Sequence, residues 1–283
     1  MQLRLLSRKE SQREGEFLMM NPKSRDDNSR KRYGSRVRAV CRVQRILICL
    51  VIAVAVMVPY GTLLAAGPEP IDLGTAANFG ALAGGTIIGT GHIEGDIGSG
   101  TGAIAVAITS EGTIYPTGDA IVITALADFS TAHIDGKNRP YDVLLSAAAY
   151  ELGGKTLTRG VYKIGAAATL STPLTLDAEG DPNAVFIIQI GAAFNATASV
   201  GNVVLTNGAR SVNVFWIVEG GVTVGASTHL EGTILGGTDI TFGTTTTING
   251  RVMAGSTAGT ITLATTTISE PPPVPAAGTI FRF

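Results

Sequence analysis

Catalysis needs a nucleophile beside a base, a paired acid and base, or a metal cluster, and this chain has few residues suited to any of these. Its three histidines, His92, His133 and His229, are far apart in sequence and none belongs to an HExxH-type pair. Both cysteines, Cys41 and Cys49, fall in a leading segment read below as removable. Gly89, Gly91 and Gly95 resemble a phosphate loop, yet the spacing is wrong and no helix follows, so they read as corners of a turning chain. Asp177, Glu179 and Asp181 offer oxygen ligands at alternate positions, as calcium sites do. The rest of an EF-hand loop is missing, and a solvated turn before Pro182 accounts for them. Asn195-Ala-Thr is formally a glycosylation acceptor and carries no further weight. The expectation is a protein that is not an enzyme, with no metal and no cofactor.

The residue type that does recur is threonine. Residues 244–247 are four in a row, residues 265–267 three, and Thr223, Thr228, Thr241 and Thr262 repeat nearby. Threonine suits exposed strands, and that alone explains many such residues. Two features favour a function: these threonines align at a fixed period, and lysine and arginine are nearly absent among them. A surface built only for solubility would intersperse charges.

The elements that position the threonines are short strands. Apolar alternations bounded by glycine recur in Gly85-Thr-Ile-Ile-Gly, Val203-Val-Leu-Thr, Val214-Phe-Trp-Ile-Val, Val222-Thr-Val-Gly and Ile240-Thr-Phe-Gly. Val222-Thr-Val-Gly-Ala-Ser-Thr-His-Leu-Glu-Gly lies over Ile240-Thr-Phe-Gly-Thr-Thr-Thr-Thr-Ile-Asn-Gly at an offset of 18 positions, and Ile261-Thr-Leu-Ala-Thr-Thr-Thr-Ile-Ser follows as a third, shortened copy. A repeat this short with glycine at its corners predicts coils of a β-solenoid. Alternation points Val222, Ile240 and Ile261 inward with Val224, Phe242 and Leu263, while Leu230 and Ile248 close the far side. Thr223, Thr241 and Thr262 then form one outward ladder; His229 with Thr247, and Glu231 with Asn249, form another. Between Asp119 and Gly136, Val122, Leu126, Phe129 and His133 recur at helical spacing, predicting a helix along the solenoid with Gly136 as its C-cap and Pro140 blocking continuation.

Charge divides the chain. Residues 1–45 hold 13 of the 21 basic groups and five of the 22 acids, leaving the remainder at −9. The apolar run 46–58 and the small residues Ala65, Ala66 and Gly67 follow, the order of a secretory signal peptide. The run is shorter than the roughly 20 apolar residues of a spanning helix. Cleavage is expected near Ala66, with an uncleaved anchor as the alternative. The basic residues flank an export signal and lack interleaved aromatics, so no nucleic-acid partner is expected. Three segments result: residues 1–66, a basic lead and signal peptide; 67–270, the solenoid domain; and 271–283, a proline-rich tail.

From about residue 71 to 269 the chain resembles the microbial ice-binding proteins. The resemblance rests on Leu73-Gly-Thr-Ala-Ala-Asn-Phe, Gly95-Asp-Ile-Gly, Leu152-Gly-Gly-Lys-Thr-Leu-Thr-Arg-Gly-Val-Tyr, Leu174-Thr-Leu-Asp-Ala-Glu-Gly-Asp-Pro-Asn-Ala-Val-Phe-Ile, Asn213-Val-Phe-Trp, Glu231-Gly-Thr-Ile-Leu and Ile248-Asn-Gly-Arg-Val. It implies an all-β fold, a discontinuous β-solenoid (parallel β-helix) with one long α-helix along its side. It implies a secreted or surface-held monomer whose partner is the ice crystal surface, with no stable membrane insertion unless the signal stays uncleaved. The family's contact pattern runs Thr, Ala or Gly, any residue, Thr or Asn. Residues 244–247 keep the outer threonines and replace the small second residue, while 226–229 and 90–93 match in part. The implied ice-contacting residues are Thr90, Thr228, His229, Thr244, Thr245, Thr247, Asn249, Thr265 and Thr267. A cell-surface adhesin, in which the solenoid is only a spacer, is the competing expectation. Polysaccharide binding would need clustered acids and exposed aromatics, whereas the sole tryptophan, Trp216, sits in an apolar run and is expected to be buried.

Overall fold

The computed structural model describes residues 67–270; the export signal, Cys41, Cys49 and the proline-rich tail lie outside them. An eight-stranded sheet runs from Asp96–Ser99 through Phe79–Ala83, Val252–Ala254, Thr233–Gly236, Val214–Val218, Phe186–Ile190 and Gly160–Ile164 to Val143–Ser146. A ten-stranded sheet carries the threonines, and Val203–Thr206, Leu174–Asp177 and Thr156–Leu157 form a third. The pairings are parallel, coil upon coil. Val222 lies beside Ile240 and Ile240 beside Ile261, the predicted stack, with Phe242 and Leu263 buried inside.

The solenoid is discontinuous because its first coils are not at the start of the stack. Phe79–Ala83 pairs with Val252–Ala254 on one side and Asp96–Ser99 on the other, and Ile87 pairs with Ile261. The chain therefore builds one end first and must return to the other. The helix α1 (Ala120–Asn138) makes that return. Its 19 residues span roughly 28 Å at 1.5 Å each. The eight strands need roughly 34 Å at about 4.8 Å spacing, so the helix runs along most of the sheet.

Packing explains why a helix forms in an otherwise β sequence. Val122, Ala125, Leu126, Phe129 and Ala132 are buried against Phe79, Leu82, Val161, Ile187, Phe215, Ile217 and Met253, the outer face of the eight-stranded sheet. Covered on both faces, that sheet reads as continuous apolar runs. In Val214–Val218, Val214, Trp216 and Val218 point into the solenoid while Phe215 and Ile217 meet the helix side. Trp216 is fully buried, stacks on Phe194 at 5.0 Å between ring centroids, and donates its indole N–H to the Glu231 carbonyl. The helix starts where the Asp119 carboxylate accepts from the Ile121 N–H.

Two glycine expectations are corrected. Gly136 is not the C-cap: the helix runs on to Asn138, with extended Arg139 before Pro140 as its cap. Gly136 is buried in the last turn, where a Cβ would meet Ile217 and Ile71 side-chain atoms at 2.6–2.8 Å, so its role is close approach to the sheet. The Gln189 side chain, buried in that sheet, donates to the Gly136 and Arg139 carbonyls and satisfies the helix end. Gly89 is not a corner but lies inside the strand Ile87–Ile93 at φ +102°. Gly91 shares that strand, while Gly95 takes up a turn at φ +87°.

Candidate functional site

The ten-stranded sheet has two wings joined by a crease. The first wing comprises Tyr150–Glu151, Ala168–Leu170, Phe194–Ala196, Val222–Val224, Ile240–Thr244 and the leading halves of Ile261–Ser269 and Ile87–Ile93. Strand alternation sends every second residue outward. Register then places Glu151, Thr169, Asn195, Thr223, Thr241, Thr262 and Ile88 in one outward column. The residues just before these strands include Ala193, Gly221, Asp239, Thr260 and Thr86, which link coil to coil through their carbonyls. Asp239 accepts from the Thr260 N–H at 2.8 Å. The wing is thus made of small and β-branched side chains, with Glu151 at its edge. Burial pushes the Glu151 carboxyl up, but the Thr169 hydroxyl and the Ser171 and Gly153 N–H groups outweigh that and hold it below the usual range.

The second wing comprises His229–Glu231, Thr247–Asn249, the trailing halves of Ile261–Ser269 and Ile87–Ile93, and Ile108–Ser110. Its outward column reads His229, Thr247, Thr267, His92 and Thr109. His229 places Nδ1 2.8 Å from the Thr247 hydroxyl and Nε2 2.8 Å from a Glu231 carboxylate oxygen. His92 repeats the wiring, with Nδ1 3.0 Å from Thr109 and Nε2 3.4 Å from Glu111. The hydrogen bond to Glu231 raises the His229 pKa above its ordinary value, against burial, which lowers it. Two imidazoles and the carboxylates of Glu231 and Glu111 set this wing apart from the first, whose column between Glu151 and Ile88 carries only threonine and asparagine.

The crease lies between the wings. Ser199, Ser227, Thr245 and Thr265 occupy it in successive coils, each exposed and each at positive φ. Ser199 N–H donates to Ala226 and Ser227 N–H to Thr244. One step further along, Thr228, Thr246 and Thr266 turn inward and are only 1% exposed. Residues 244–247 therefore map onto geometry: Thr244 outward at the first wing's margin, Thr245 on the crease at φ +57°, Thr246 buried, Thr247 outward on the second wing. The small second residue of the family pattern falls where an L side chain costs about 1–2 kcal/mol.

The candidate residues named above are therefore dispersed. Thr90 and Thr244 flank the first wing, where each is placed opposite Ala264. Thr245 and Thr265 are on the crease; His229, Thr247, Asn249 and Thr267 are on the second wing. Thr228 is a correction: it is buried, its hydroxyl facing the Thr197 and Ala226 carbonyls, and its side chain has no surface to present. Thr169 and Asn195 were missed because Phe194 precedes its partner Val222 by 28 positions, not 18. Longer turns hide their coils from a fixed-period search. Asp177, Glu179 and Asp181 form a turn: Asp177 accepts from Glu179 N–H and the Asn207 amide, and Asp181 pairs with Arg159.

Comparison with known proteins agrees with this architecture. Residues 79–269 match the family described as ice-binding-like. An ice-binding protein of Nostoc sp. (strain HG1) is 38% identical over 206 residues, 70% of this chain and 73% of that one. That of Flavobacterium frigoris (strain PS1) is 35% identical over 71% of this chain and 77% of its own. The crystal structure of an ice-binding protein from an Antarctic ascomycete, Antarctomyces psychrotrophicus, superposes with a TM-score of 0.63 at 34% identity, covering 71% of this chain and 98% of that one. An ice-binding protein from an Antarctic biological consortium gives 0.68 at 34% identity over 74% and 94%. With the family match spanning residues 79–269 and relatives above 30% identity covered over two thirds of their length, the chain belongs to the ice-binding-like family.

Proposed function

We propose that this protein binds ice through the first wing. The observation that carries the reading is the unbroken outward column of Thr169, Asn195, Thr223, Thr241 and Thr262 in five successive coils. A threonine ends one bond beyond Cβ, so successive threonines in register stop at one height. Their methyls and hydroxyls hold water in an ordered layer that merges with the crystal. Restricted χ1 in a strand leaves little rotamer entropy to lose on contact. Each atomic contact contributes only about 0.1–0.2 kcal/mol, so adhesion depends on many being made at once.

The same reading assigns recrystallisation inhibition as the activity and places the protein outside the cell, exported through the apolar run 46–58. The second wing, with its imidazoles and carboxylates, serves as a solvated flank. Growing ice slowly in a dilute solution of the purified protein tests the reading. The protein should enter the ice fraction above its starting concentration. Exclusion into the liquid, as for a protein without ice affinity, would overturn the reading and favour the adhesin alternative.

A further inference from the structure

Two asparagines among the described residues are followed by glycine, in Asn207-Gly208 and Asn249-Gly250. Such a pair carries chemistry of its own, because glycine has no side chain to keep its backbone nitrogen away from the asparagine side-chain carbon. The two pairs are covalently alike. The fold treats them differently.

Asn249 closes the strand Thr247–Asn249, and Gly250 is buried directly after it. The Gly250 N–H, whose nitrogen would have to attack, donates to the Ser269 carbonyl at 2.8 Å. A Cβ on Gly250 would stand 1.9 Å from the Gly232 carbonyl oxygen, so the peptide has no room to turn. Reaction there requires the coil to open first.

Asn207 and Gly208 are instead the exposed central residues of a turn, at φ +50° and +90°, closed by the Ala209 N–H donating to the Thr206 carbonyl at 3.0 Å. Among the described residues the Gly208 N–H has no carbonyl acceptor, and nothing lies within 4 Å of where its Cβ would be. The nitrogen is free and its peptide has room to rotate. Two contacts hold Asn207: its carbonyl accepts from the Gly180 N–H at 2.9 Å, and its amide donates to the Asp177 carboxylate at 2.8 Å. Both partners belong to the neighbouring surface turn, not to the core.

We infer that Asn207 is the site at which this folded chain deamidates, with water as the co-reactant. The Gly208 nitrogen bonds to the Asn207 side-chain carbonyl carbon, the bond from that carbon to Nδ2 breaks, and ammonia leaves with the proton that Gly208 gives up. Water then opens the five-membered imide, at one carbonyl to give aspartate and at the other to give isoaspartate, in which the main chain runs through the side chain. Either product puts a second carboxylate where an amide donor faced Asp177. Two like charges then meet in place of a hydrogen bond. The inference is independent of the ice-binding reading.

The test holds the purified full chain at mildly alkaline pH for weeks, in native buffer and in concentrated urea, and locates deamidated and isoaspartyl peptides by mass spectrometry. In native buffer residue 207 should react severalfold faster than residue 249, and in urea the two rates should converge. Equal rates in the folded protein would overturn the assignment, as would a residue 207 that stays intact in the fold while reacting in urea. Asn207→Asp, which installs one product directly, supplies a second measurement. It should melt below the parent at neutral pH, and the difference should shrink as acid protonates one carboxylate of the pair. A melting difference that ignores pH would overturn the contact with Asp177 as the consequence of the reaction.

Discussion

Gly89 lies so close to Leu263 that a Cβ built on it would stand 1.8 Å from the Leu263 carbonyl oxygen. The contact joins the strand Ile87–Ile93 to Ile261–Ser269 and is part of the splice that closes the discontinuous stack. Gly89→Ala should therefore combine overpacking against backbone with strain at φ +102°. The expected loss is roughly 3 kcal/mol or more. A urea midpoint within error of the parent would show that the splice tolerates a side chain.

The helix depends on Gln189, whose amide reaches two carbonyls at its end. Gln189→Leu keeps the volume but leaves those carbonyls without their donor, at an expected cost of about 1–3 kcal/mol. Hydrogen exchange should quicken in the last turn of α1. Unchanged protection there would mean that the apolar stripe alone holds the helix.

His229 should titrate above its ordinary value, because its hydrogen bond to Glu231 favours the protonated ring. A folded-state pKa raised above the unfolded one adds stability that is full below about pH 6.5. It fades as pH rises through the folded value. The ring is nearly half exposed, so the contribution is modest. Proton NMR of the His229 ring should place the midpoint above the ordinary value, and Glu231→Gln should bring it down. An unmoved midpoint in the variant would assign the shift to another cause.

Mass spectrometry of exported protein should find a new amino terminus near Gly67, following the apolar run and small residues of the lead. Recovery of the intact chain in membranes would show an uncleaved anchor.

How much of this was legible in the sequence depended on period. The 18-position offset of Val222 and Ile240 placed the inward stack, the outward ladders and the parallel solenoid, because those coils keep one length. The helical spacing of Val122, Leu126 and Phe129 placed α1. Two things escaped it. Thr169 and Asn195 sit in coils with longer turns. The return of Phe79–Ala83 to Val252–Ala254 is a pairing across most of the domain, which no local pattern encodes. Thr228, by contrast, was within reach, since it lies an even number of positions from inward Val224 and Leu230 and plain alternation already turns it inward.

The central claim is that the first wing contacts ice, and replacing Thr241 with tyrosine tests it most directly. The residue is exposed in the middle of the column, and tyrosine is a good strand former, so stability should change by less than about 1 kcal/mol. The ring would lift the crystal off its neighbours, and even a gap of about 0.5–1 Å forfeits a quarter to a half of each contact. Thr124, exposed on the helix side, is the matched control, and Thr247→Tyr probes the second wing. The account predicts that recrystallisation inhibition is lost in Thr241→Tyr at an unchanged melting temperature, kept in Thr124→Tyr and largely kept in Thr247→Tyr. Full activity in Thr241→Tyr, or its loss in Thr247→Tyr alone, would contradict it.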